Sequence, residues 1–315
     1  MRKSETDFTY LRSIESTLQD LMFPTRFAVE VTAECNLKCS MCHHPGMKRP
    51  KGRMPFELWK RCADQIAAVS PQTQCWFSFC GEPLLEPQQL IKMIQYGKRA
   101  GLLSLNINTN GMLLTPEWAE PVADSGVDLV VFGIDAFSAE TLEKIRVEAR
   151  RDVVYGNVEK FLKTVQARNN KPEVQVQFIE MEENAHELST FKEYWLSRGA
   201  TAKVRRMLSW GGAFDVPVDI PQEHRIACPW ACTMMHVFWD GRVPRCPGDI
   251  EGEESAGNAW DEPLEQLWGK LGVYRRMHME KKFDDLPQRC KECTDWMTGS
   301  AERIQPDIKD SAISV

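Results

Sequence analysis

From about residue 27 to residue 207, short β-rich runs alternate with amphipathic helical stretches. Parallel strands need crossovers long enough to hold a helix, so this alternation demands a parallel α/β sheet covered by helices. The strand candidates are Phe27 to Val31, Gln74 to Phe79, Ser104 to Asn108, Leu129 to Ile134, Val174 to Ile179 and Ala202 to Met207. The clearest helix begins at Pro55 and sets Leu58, Cys62, Ile66 and Val69 on one apolar face, which makes Cys62 a packing residue. Further helices fit Pro87 to Ala100, Pro116 to Ser125, Ala139 to Arg146, Gly156 to Arg168 and Ala185 to Arg198. In such sheets ligands gather at the carboxyl ends of the strands, so the loops that leave each strand are where chemistry is expected.

The pattern changes past Trp210, where Gly211-Gly212, several prolines and five of the eleven cysteines occur. The expected organisation is therefore a helical extension over residues 1–24 with an amphipathic helix Tyr10 to Leu21, an α/β unit over 25–209, a smaller unit over 210–300, and a tail over 301–315. A net charge of −6 and a pI near 5.7 give no broad electrostatic footprint for nucleic acid. No segment reaches the roughly 18 uninterrupted apolar residues of a membrane span. The start, Met1-Arg-Lys-Ser-Glu-Thr-Asp, lacks the apolar core of a signal peptide, so the expected compartment is the cytoplasm. Eleven cysteines are odd in number for a disulfide framework, and in a reducing compartment metal ligation explains them better.

Three of them, Cys35, Cys39 and Cys42, follow the first strand in the spacing C-x3-C-x2-C. Closed zinc sites and closed iron–sulfur clusters take four protein ligands, so three thiols either leave an iron open or are completed as a zinc knuckle by His43 or His44. The spacing and its place after a first strand resemble the signature of the radical S-adenosylmethionine (radical SAM) superfamily. That resemblance implies a partial (β/α)6 TIM-like barrel in which Cys35, Cys39 and Cys42 hold a [4Fe–4S] cluster. The cofactor S-adenosylmethionine then chelates the fourth iron.

Other loops carry the same resemblance. Ser78-Phe-Cys-Gly-Glu-Pro-Leu-Leu85 is similar to the family's glycine–glutamate–proline element, so Gly81, Glu82 and Pro83 are expected to cradle the methionyl amino group, with carbonyls and Glu82 accepting from the ammonium. Asn108-Thr-Asn-Gly111 resembles the family's threonine–asparagine–glycine turn and brings in Asn108, Thr109 and Asn110; read alone, it is an ordinary Asn-Gly turn. Gly133-Ile-Asp-Ala136 stands where relatives often show Ser-x-Asp-Ala. Asp135 is a candidate for ribose or substrate contact, or simply a cap for the helix from Ser138. Arg146 matches a recurrent family arginine, and Met41, where relatives usually carry an aromatic, would pack beside adenine.

The carboxyl-terminal third holds Cys228-Pro-Trp-Ala-Cys232, a hairpin signal at Asp240-Gly241, Cys246, and Cys290-Lys-Glu-Cys293. This resembles the auxiliary-cluster region of SPASM/Twitch radical SAM enzymes, and its ligand spacing is similar to that of aminocyclitol dehydrogenases of the Twitch group. The resemblance implies a small domain with a β-hairpin and a helix, holding an auxiliary [4Fe–4S] cluster on Cys228, Cys246, Cys290 and Cys293. Hairpin geometry instead favours Cys232 over Cys228, because Cys246 falls opposite Met235 across a two-residue turn. A zinc ribbon uses the same thiols.

The resemblance implies a radical SAM oxidoreductase. A 5′-deoxyadenosyl radical removes hydrogen from a polar small molecule such as a sugar, aminocyclitol or nucleoside, and the auxiliary cluster takes the remaining electron. An electron donor such as flavodoxin or ferredoxin is the expected partner. Candidate proton acceptors are His43, His44, Asp135 and Arg205. Two other outcomes use the same motifs: maturation of a ribosomally made peptide, and epimerisation with Cys80 or Cys232 returning hydrogen.

Overall fold

A computed structural model describes residues 9, 11–168, 172–216, 220–299 and 302–304. The six expected strands are β1 (Arg26–Val29), β2 (Gln74–Phe77), β3 (Ser104–Thr109), β4 (Leu129–Gly133), β5 (Glu173–Glu180) and β6 (Thr201–Arg206). Each pairs in parallel with the next, as in Phe27 with Cys75 and Phe132 with Val176. The crossovers are α1 (Phe56–Val69), α2 (Pro87–Ala100), α3 (Pro116–Ala123), α4 (Ala139–Ile145), α5 (Arg151–Gln166) and α6 (Leu188–Leu196). Their apolar faces bury Leu58, Cys62 and Ile66, then Leu90 and Ile94, then Val158 and Phe161 against the sheet. Val69 departs from the expected face and is 43% exposed, since it is the last residue of α1. Helix α5 begins five residues before Gly156, because the apolar stripe through Val154 and Val158 carries the helix across the glycine.

The carboxyl-terminal region does not stand apart from this sheet. After α7 (Pro229–Thr233), strand β7 (Met234–Val237) lies parallel to β1 with Phe27 opposite Met235, giving a seventh parallel strand. The expected two-residue turn is present, with Gly241 at φ 93° donating to the Phe238 carbonyl. Its arms separate, however, and the hairpin ladder forms between β8 (Arg242–Pro244) and β9 (Ser255–Asn258). The physical reason is the open edge of β1, whose unpaired backbone groups capture residues 234–237. Helix α8 (Leu264–Met279) and the short α9 (Gln288–Glu292) follow.

Residues 302–304, expected in the tail, form β10 (Glu302–Ile304), antiparallel to β6 at the other edge; residues 305–315 lie outside the described set. The amino-terminal helix is also shorter than Tyr10 to Leu21. Residues 11–15 are helical, and Leu11 packs with Ile220, Ile226, Trp296 and Met297 beside Cys228. Among the described residues no helix is long and apolar enough to cross a membrane.

Candidate functional site

Because the strands run parallel, the loops after β1, β2, β3 and β4 all emerge at one end, and there they enclose a cavity. Its lining includes Cys35, Cys39, Met41, Cys42, Cys80 and Gly81, together with Asn108, Arg146, Arg205 and Trp210. The cysteine loop is held from three sides. A two-residue antiparallel ladder joins Lys38–Cys39 to Arg146–Val147, Glu82 N–H donates to the Glu34 carbonyl at 2.8 Å, and Trp210 Nε1 donates to the Met41 carbonyl at 2.9 Å. Gly81 is required where these loops meet: a side chain there would overlap the Thr32 carbonyl oxygen and come within 2.7 Å of the Glu34 carbonyl.

Glu82 is buried and its carboxylate is largely committed. It accepts from Thr109 Oγ1 at 2.7 Å, Leu84 N–H at 3.0 Å and Asn110 N–H at 2.8 Å. That takes three of a carboxylate's roughly four acceptor sites, so its main work is to tie the β2 loop to the β3 loop. Accepting from an ammonium falls mainly to backbone carbonyls. Pro83 is buried in the turn behind Glu82, outside the cavity lining. Asn110 is more than a turn residue: its Oδ1 accepts from Met112 N–H, while its Nδ2 reaches Asn36 in the cysteine loop at 2.9 Å.

Asp135 is displaced from the role expected of it. It is fully buried at φ 65°, lies outside the cavity lining, and bonds Arg146 Nε at 3.0 Å and Ile179 N–H at 2.7 Å. Nor does it cap the next helix, which Ser138 does by accepting from Thr141 N–H. What Asp135 does is hold Arg146. The departure at Gly133 has the same cause: a Cβ there would stand 2.5 Å from Arg146 Nη2, so the guanidinium occupies the space of the missing side chain. Arg146 Nη1 then lies 3.8 Å from Cys39 Sγ.

The three thiols are free. Burial pushes Cys35 up to about 12 and Cys42 up to about 11, and it raises Cys39 despite the nearby Arg146. Three thiolates are therefore favoured only when an occupant brings positive charge, and its binding would release protons. Neither histidine lines the cavity. His44 Nε2 is 2.9 Å from the Ala33 carbonyl, and His43 faces Glu251 at 3.7 Å and the edge of Phe214. Among the described residues no three His, Cys, Asp or Glu side chains gather as ligands of one metal ion. The thiols border a space instead, and a cubane with irons at separate corners fits such a donor set.

The second set comes from three segments, which carry Cys228, Cys246, and Cys290 with Cys293. The Cys228 thiol is within electrostatic reach of Cys293, Cys290 and Cys246, whereas Cys232 is buried beside Arg275, Asp20 and Glu15. Geometry thus groups Cys228 with the other three. The hairpin argument for Cys232 fails because Pro229 opens helix α7, so residues 229–233 are not strand. The linker between the units touches both sets: Ser209 Oγ is 3.7 Å from Cys293 Sγ, its N–H and that of Gly211 donate to Asp295, and Trp210 grips the first cysteine loop. Sequence reading missed Trp210, Asn36 and Gln177; only the tryptophan left a signal, a large aromatic directly before Gly211-Gly212 at the change of pattern.

Residues 29–167 match the radical SAM superfamily, and residues 228–294 match SPASM, an iron–sulfur cluster-binding domain. The chain is a radical SAM protein with a SPASM domain. The first domain implies a [4Fe–4S] cluster and S-adenosylmethionine, and the second implies auxiliary iron–sulfur binding. The chain is 30% identical over 184 residues to a tungsten-containing aldehyde ferredoxin oxidoreductase cofactor-modifying protein of Pyrococcus furiosus, covering 55% of this chain and 49% of that protein. It is 34% identical over 124 residues to the AdoMet-dependent heme synthase of Methanosarcina barkeri, covering 39% and 34%. The chain thus spans half or less of the length of these two relatives. In fold it is similar to BtrN in complex with AdoMet and 2-DOIA (TM-score 0.63, 20% identity, 88% of this chain and 94% of that one). It is also similar to Streptococcus suis SuiB bound to precursor peptide SuiA (TM-score 0.68, 13% identity, 93% and 74%).

Proposed function

We propose that this radical SAM enzyme is an oxidoreductase that dehydrogenates a polar small molecule of the sugar, aminocyclitol or nucleoside class. The observation supporting this most is the second thiol set. With Cys228, Cys246, Cys290 and Cys293 within reach of one another, a cluster there would have four protein ligands and no corner left for substrate. Electron transfer is the use that remains.

Cys35, Cys39 and Cys42 would hold the first cluster, with Met41, Gly81, Asn108 and Asn110 bordering the cofactor. Bound there, cluster and cofactor would supply the radical chemistry for hydrogen-atom abstraction, and a cluster on the second thiol set would supply an acceptor for the remaining electron. The chain's own residues orient the reactants and exclude water. Arg146 and Arg205 give the cavity positive charge for a carboxylate, and Trp210 closes the side nearest the SPASM domain. Of the expected proton acceptors, His43, His44 and Asp135 lie outside the cavity lining. Arg205 lines it as a guanidinium donating to Gln177 Oε1 and the Arg206 carbonyl.

In the test, anaerobically reconstituted enzyme is given candidate sugars, aminocyclitols and nucleosides. One 5′-deoxyadenosine per oxidised product supports the reading, and oxidised product without that nucleoside refutes it. Epimerisation is kept as a second reading because the Cys80 thiol lines the cavity and burial holds it protonated. Cys232 lies elsewhere and is set aside as the hydrogen donor. Solvent deuterium in the product, lost in Cys80→Ala, would decide for epimerisation.

A further inference from the structure

His278 lies on the buried face of α8 with Leu267, Leu271 and Arg275, where helical spacing alone marks it as one more packed residue. Its two ring nitrogens face different groups. Nδ1 is 3.4 Å from the backbone N–H of Cys228, and Nε2 is 3.4 Å from Cys290 Sγ. A backbone N–H can only donate, so Nδ1 must present its lone pair, and the ring proton of the neutral imidazole sits on Nε2, aimed at the sulfur. One hydrogen bond thereby sets the direction of the other.

Other donors converge on the same four thiols. Cys293 Sγ faces the Asp295 N–H at 3.3 Å and the Ser209 hydroxyl at 3.7 Å, and the Arg245 guanidinium reaches the Cys246 thiol. Donors to a cluster thiolate stabilise the reduced state, which carries the extra negative charge, and so raise the reduction potential. We propose that His278 is a positioning residue whose Nε2–H, oriented by the Cys228 N–H, raises the potential of a cluster on Cys228, Cys246, Cys290 and Cys293 and so fits it to receive an electron. This rests on the reading that those cysteines hold an iron–sulfur cluster.

The experiment is an EPR-monitored redox titration of reconstituted holoenzyme, wild type beside H278F and H278Q. In H278F the auxiliary midpoint is expected to fall by about tenfold in the reduction equilibrium, or about 59 mV for one electron. The cluster on Cys35, Cys39 and Cys42 should be unmoved. H278Q keeps an N–H and should lie nearer wild type. An unchanged auxiliary midpoint in H278F that carries about eight irons per chain overturns the proposal. About four irons in wild type overturns instead the cluster reading beneath it. Should H278F lose the cluster, pulsed EPR on reduced wild-type protein with 15N-labelled histidine replaces the titration: a weak nitrogen coupling is expected, whereas no coupling, or the strong coupling of an iron-bound nitrogen, overturns the proposal.

Discussion

The two cysteine groups of this chain face opposite physical problems. The first is carried on one loop, opens on a cavity, and has two guanidiniums near it: Arg146, whose charge is answered by the buried Asp135, and Arg205, within electrostatic reach of Cys42. The second draws its thiols from three segments and surrounds them with donors: His278, Asp295 N–H, Ser209 and Arg245. A site that must release an electron into its occupant gains from little positive bias, and one that must accept an electron gains from much. Under the proposed function, the two groups would take opposite redox duties through their neighbours as well as through the number of their thiols.

The largest expected effect breaks the pair apart. Cys39→Ala should abolish cofactor cleavage and remove about four of about eight irons per chain. Cys290→Ala should remove a similar number yet leave cofactor cleavage measurable, uncoupled from product. If both variants cleave equally, the division of labour is wrong.

Next in size is Asp135→Asn, which leaves Arg146 buried without its counter-charge and should cost about 3–5 kcal/mol in denaturant unfolding. A smaller loss, about 1–3 kcal/mol, is expected for Gly133→Ser, because the restored side chain meets Arg146 Nη2. Its iron content should fall more at the first site than at the second, since Arg146 sits against Cys39.

The smallest effect tests the clasp between the regions. Glu251, from the SPASM side, accepts from the Lys48 and Arg49 N–H groups of the first loop. Burial raises its pKa, but those donors outweigh burial and hold it below the ordinary glutamate value. A depressed folded pKa stabilises fully above that ordinary value and is lost as pH falls through the folded one. Glu251→Gln should therefore cost about 1 kcal/mol near neutral pH, with the gap to wild type closing in acid unfolding titrations.

Much of the fold was legible because period and punctuation are local. α2 runs over the residues its Pro87 start and apolar spacing indicate, and all six strands lie within two residues of their expected starts and ends. What misled were local signals overruled by tertiary contacts. Gly156 looked like a helix start, yet lies inside α5; Asp240-Gly241 looked like a hairpin, yet its first arm joined β1. In the site, the thiols were legible because metal chemistry leaves few residue types to choose from. Asp135 was not, since a carboxylate after a strand reads the same whether it faces a ligand or an arginine. His278 was hidden by its place in an apolar stripe.

The amino-acid order by itself determined the alternating architecture, the incomplete set of three thiols and the later set of cysteines, because these depend on residue type and spacing along the chain. Only the tertiary structure decided that Cys228 rather than Cys232 stands within electrostatic reach of Cys246, that Arg146 fills the space left by Gly133, and that Ser209 and Trp210 touch one cysteine group each. Those choices depend on distances between segments far apart in sequence, which packing sets and spacing does not encode.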